Sequence, residues 1–97
     1  MMVVEEILLA ARPALEAILT PKELERTHLD VVTTNDEPVE SSTIISEDLL
    51  LRVVVYDEEM RFWLYPPEGA NGFTARLRSE LQDFVAESGF GWGERRG

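Results

Sequence analysis

Residues 49–65 read LLLRVVVYDEEMRFWLY. Two runs rich in β-branched and aromatic residues flank an acidic break, the pattern of a β-hairpin. A turn at Glu58-Glu59 sets Tyr56 opposite Arg61, Val55 opposite Phe62, Val54 opposite Trp63, Val53 opposite Leu64 and Arg52 opposite Tyr65. One face then carries Val53, Val55, Phe62 and Leu64 and is dry. The other carries Arg52, Val54, Tyr56, Arg61, Trp63 and Tyr65. Cross-strand contacts among aromatics, valine and arginine stabilise such a pair.

Upstream, LDVVTT (29–34) and VESSTIIS (39–46) have the same character, separated by NDEP. They extend the hairpin into an antiparallel meander of three to four strands. The register of 39–46 on its neighbour stays open, because a one-residue slip leaves both faces mixed.

Helices flank the meander. Residues 3–19 place Val4, Leu8, Ala11, Leu15 and Ile18 in steps of three and four, one face of a helix. Pro13 lies inside this stretch and removes a bond to the Leu9 carbonyl, so a kink or break is expected there. TPKELERT (20–27) has Thr20 as N-cap, Pro21 at the first helical position and Glu23 at the third, a capping box opening a short helix. Residues 72–88 carry Phe73, Leu77, Leu81, Phe84 and Val85 on one stripe of a C-terminal helix. The expected fold is α+β: helices on one layer, an antiparallel sheet on the other, in a single domain spanning 1–97.

The segment 89–97, GFGWGERRG, is expected to end that helix and fold back. Gly89 suits a left-handed C′ position, with Phe90 on Val85 in a Schellman motif. Trp92 needs cover, and Arg95 and Arg96 would offset Asp83 and Glu87. These two acids oppose the helix dipole and repel each other four positions apart.

The chain has 97 residues, no cysteine and a net charge of −10. Such a charge repels nucleic acid and anionic membranes, so neither is expected as a partner. No apolar run approaches the ~18 residues of a membrane span. The acidic start, MMVVEE, is unlike a signal peptide, so a cytoplasmic location is expected. No disulfide or zinc-thiolate site is available.

Residues 30–68 hold ten acids against two bases. In a four-stranded meander the first and third turns share one end of the sheet, which would gather Asp36, Glu37, Asp57, Glu58 and Glu59. These acids are read either as solvated turn residues or as a grip on a basic partner. The face with Arg52, Arg61, Trp63 and Tyr65, joined by Trp92, is the second candidate contact surface, since interfaces concentrate aromatics and arginine. Internal cover by a helix or the C-terminal tail is its competing explanation.

His28 is the single histidine, and local sequence supplies no partner for it but Asp30. No nucleophile elbow, P-loop or dinucleotide fingerprint occurs. The sequence therefore leads to a non-enzymatic binding module without cofactor or metal, acting on a protein partner or on itself. The alternative is an accessory domain holding a small ligand or metal, in a pocket between the sheet and the last helix or at the acidic turns.

Overall fold

The computed structural model describes residues 2–89. Helix α1 spans Val4–Ile18 and α2 Pro21–Glu25. Strands β1 (Thr27–Thr33), β2 (Leu49–Val55) and β3 (Glu58–Trp63) form one antiparallel sheet in that order. A 3-10 turn, Pro66–Glu68, leads into α3, Gly69–Glu87. The fold is α+β, as the alternation and periodicity lead one to expect.

Helices α1 and α3 share one face of the sheet. Val4, Ile7, Ala11, Ala14, Leu15 and Ile18 of α1 meet Phe73, Leu77, Leu81 and Val85 of α3 over Val31, Leu51, Val53, Val55 and Phe62. Ile7, not Leu8, completes the α1 stripe; Leu8 is only partly buried. The small Ala11 and Ala14, both fully buried, let the helices approach closely. Pro13 does not divide α1, which runs through it unbroken. Pro13 lies on the exposed side, and Leu9, whose carbonyl it deprives of a donor, is 66% exposed. Both residues thus face solvent, where a carbonyl without its helical donor is tolerated better than in the core.

Thr20 and Glu23 form the expected box. The Thr20 hydroxyl accepts from the Glu23 amide at 3.2 Å, and the Glu23 carboxylate accepts from the Thr20 amide at 2.9 Å. The expected helix over 21–27 stops two residues earlier, at Glu25, because Thr27 already begins β1. Thr20→Ala is expected to cost about 1 kcal/mol, lowering Tm by about 4–8 °C. A thermal melt that leaves Tm unchanged would mean that this cap does not hold α2.

Two corrections concern the sheet. Residues 39–46 are not a strand. Their carbonyls cap α1 instead: the Val4 amide donates to the Thr43 oxygen at 2.9 Å and the Glu5 amide to the Ser41 oxygen at 3.0 Å. The Ile45 amide returns a bond to the Met2 oxygen at 3.0 Å. A helix start leaves amide donors without partners, and this segment satisfies two of them, keeping only an isolated bridge at Ile44, with another at Pro38 just before it.

The second correction is the hairpin register. The turn is Tyr56-Asp57, with Tyr56 at φ 58°, and Val55 faces Glu58, Val53 faces Met60, Arg52 faces Arg61 and Leu51 faces Phe62. Each partner lies four positions from the expected one. Side chains alternate with period two, so an even displacement leaves both faces as read.

Helix α3 ends differently from the expected Schellman motif. Gly69 is the one described glycine in the left-handed region, and Gly89 is not. Ser88 is extended and buried, and its hydroxyl donates to the Val85 oxygen at 2.7 Å. The Gly89 amide then donates to both oxygens of the Glu58 carboxylate, at 2.9 and 3.0 Å. A strand side chain thus takes the first amide past the Ser88 cap. The expected strap from Phe90 onward, with Trp92, Arg95 and Arg96, lies outside the described residues.

Candidate functional site

With both helices on one side, the other side of the sheet is open except at Val32 and Leu50, which are buried, and Asp36 of the β1–β2 connection reaches it at Arg61; its residues fall into three rows across the strands. The register sets Val32, Leu50 and Trp63 in one row, Asp30, Arg52 and Arg61 in the next, and His28, Val54 and Glu59 in the third.

The middle row is charged and ordered. Asp30 and Arg52 face each other in a bidentate pair, Nε to Oδ1 at 3.0 Å and a terminal nitrogen to Oδ2 at 2.7 Å. Fork-to-fork pairing fixes the guanidinium plane as well as its position. Arg52 also faces Arg61, and like charges placed directly opposite repel. Two acids relieve this. Arg61 meets Asp36 at 2.6 Å and Glu59 at 2.9 Å. Asp36 reaches the sheet because the Thr33 hydroxyl accepts from the amides of Asn35 and Glu37, both at 3.2 Å, bending the connection. Asp36 itself sits at φ 64°, a conformation that aspartate tolerates.

The hydrogen bond from Arg52 to Asp30 raises the Arg52 pKa above the usual arginine value. Hydrogen bonds to Asp36 and then Glu59 do the same for Arg61. A raised folded-state pKa gives stability that is complete below the unfolded value and is lost only as pH rises through the folded one. For arginine that window is strongly alkaline, so both charges persist at neutral pH.

The apolar row ends in an exposed ring. Val32 and Leu50 are buried, and Trp63, opposite Leu50, is 54% exposed. Tyr65, just beyond β3, is 52% exposed, and Tyr56 in the turn is also open. Among the described residues no helix covers this face. Arg76 fixes the strand end at Trp63 from beneath: its guanidinium lies 4.0 Å from the Phe62 ring centre, donates to the Trp63 carbonyl at 2.8 Å and pairs with Glu68.

The five-acid cluster does not form. Without a strand at 39–46 the chain reverses once fewer, and the connection holding Asp36 and Glu37 lies at the end of the sheet opposite Asp57 and Glu58. Glu58 is also engaged by Gly89. Asp36 and Glu59 do meet, through Arg61. Trp92 lies outside the described residues.

Asp30 is a site residue that the sequence does not single out, since locally it stands only as a neighbour of His28. Its signal was strand parity: it shares a face with Arg52. His28 is 73% exposed, with Nε2 3.9 Å from Asp30. It borders an open groove of about 690 Å³ lined by Glu25, Arg26, Thr27, His28, Tyr56 and Asp57. Between the sheet and α3, Phe62 and Phe73 pack edge to face at 5.6 Å and Leu77 and Leu81 are fully buried. Among the described residues no group of three or more His, Asp or Glu is placed to hold a metal ion, and no helix is long and apolar enough to cross a membrane.

Comparison with protein-family models, with curated proteins and with solved structures gives no match.

Proposed function

We propose that this chain is a non-catalytic protein-binding module that uses the open sheet face as its contact surface. The observation that carries the proposal is Trp63, half exposed beside two arginines whose geometry is already set by Asp30, Asp36 and Glu59. Exposed tryptophan next to ordered arginine is the composition of binding hot spots. Pre-ordered side chains also lose little entropy when a partner arrives. Trp63 and Tyr65 provide the apolar part of the surface, and the ionic row provides orientation.

The partner is a protein with a basic surface and a recess for an aromatic ring. A net charge of −10 favours approach by positive charge. Glu37, Glu40, Glu47 and Asp48, exposed at one end of the sheet, form the acidic rim.

Salt tests this directly. Raising ionic strength shortens the screening length from about 10 Å at 0.1 M to about 3 Å at 1 M. A specific partner captured by the immobilised chain at the lower salt is expected to elute at the higher one. A partner that stays bound equally at both would sink the electrostatic part of the proposal.

A further inference from the structure

The hydrogen-bond phase of the sheet shows which backbone groups face its free edge. The Leu64 amide donates to the Leu49 oxygen and the Tyr56 amide to the Arg26 oxygen, both at 3.1 Å. Along an antiparallel ladder, groups facing the neighbour alternate with groups facing away. Glu58, Met60 and Phe62 therefore bond to β2, and Glu59, Arg61 and Trp63 point outward. The Trp63 carbonyl fits this phase, since Arg76 takes it from outside at 2.8 Å. The opposite edge is partly closed: Val31 accepts from the Val39 amide at 3.1 Å and the Thr33 amide donates to Glu37 at 2.9 Å. Among the described residues, the edge at Glu59 and Arg61 offers N–H and C=O groups to a new strand.

We propose that a second copy of this chain occupies that edge, β3 antiparallel to β3, about a two-fold axis through Met60. The register follows from phase and charge. Outward-facing residues must stand opposite outward-facing residues. An axis through Arg61 would set arginine against arginine, and one through Glu59 would set glutamate against glutamate. An axis through Phe62 would need the Trp63 carbonyl that Arg76 holds. With the axis at Met60, Glu59 stands opposite Arg61 of the second copy and Arg61 opposite its Glu59. The contact is isologous, as a two-fold interface must be. Both residues exchange N–H and C=O with their counterparts, and opposite charges face each other twice on one side of the sheet. Arg61 keeps Asp36, while Glu59 trades its own-strand arginine for the one across the axis. The two open faces then join into one continuous surface that carries both Trp63 rings. This proposal stands apart from the partner surface above, because it rests on the edge and not on the face.

Charge complementation tests it. In sedimentation velocity over a concentration series, the wild-type chain is expected to pass from monomer to dimer. Glu59→Arg and Arg61→Glu each set like charges opposite each other twice, and each is expected to weaken association by about tenfold or more. An equimolar mixture of the two variants restores Arg–Glu at both positions and is expected to associate like wild type. A wild-type monomer at every concentration would overturn the proposal. So would single variants that associate normally, or a mixture no tighter than its components. Amide hydrogen exchange of the wild-type chain gives a readout independent of variant folding. The Glu59 and Arg61 amides should be protected at high concentration and exchange freely on dilution; concentration-independent exchange would contradict the pairing.

Discussion

Phe73→Ala is expected to lower the free energy of unfolding by about 3–5 kcal/mol. Phe73 is 1% exposed and stands edge to face with Phe62 at 5.6 Å and 75°. Truncation removes the ring from water-free packing and leaves a cavity between α3 and the sheet. The loss goes further than one side chain. Phe62 is the ring over which the Arg76 guanidinium lies, and Arg76 ties α3 to the end of β3. A domain of this size has about 5–15 kcal/mol in all, so the variant should be near the limit of folding. Each kcal/mol lost shifts Tm by about 4–8 °C. Urea denaturation followed by circular dichroism measures the loss. Phe73→Leu, which keeps most of the volume, should cost about 1.5 kcal/mol or less. A Phe73→Ala loss below about 1 kcal/mol would mean that α3 does not pack on this sheet as described.

Trp63→Ala is expected to separate binding from folding. The ring is half exposed, so its removal should cost about 1 kcal/mol and leave the chain folded. At the centre of a contact the same truncation typically costs at least ~2 kcal/mol, or about thirtyfold in affinity. Isothermal titration against the partner captured at low salt reads the affinity, and a melt reads the fold. Wild-type affinity in the folded variant would remove the sheet face from the contact surface. Loss of both affinity and stability would make Trp63 a structural residue.

What could be read in advance depended on how local the deciding interactions are. The Thr20–Glu23 box closes within four residues and was fully visible. The two faces of the hairpin were visible because period two survives an even error in register, so Val53, Val55 and Phe62 stayed inside and Arg52, Arg61 and Trp63 outside. The turn itself was not visible: an acidic pair at Glu58-Glu59 looks more like a turn than Tyr56-Asp57, whose tyrosine takes a positive φ that few residues favour. Residues 39–46 look like a strand because Thr43, Ile44 and Ile45 suit one. Their hydrogen bonds go to the start of α1, some forty positions away, and no local pattern announces that. The acidic cluster failed for the same reason, since one strand more or less moves Asp36 and Glu37 to the other end of the sheet. Gly89 looks like a left-handed cap until Glu58, far back in sequence, takes its amide.

The proposed contact is made by the open sheet face and not by the helical one. Backbone amide NMR of the labelled chain, recorded with and without the captured partner, tests this most directly. Shifts are expected to gather on Asp30, Arg52, Arg61 and Trp63, with the Trp63 indole signal moving most. Shifts gathered instead on the exposed sides of α1 and α3, at Arg12, Glu16, Glu80 and Asp83, would contradict it.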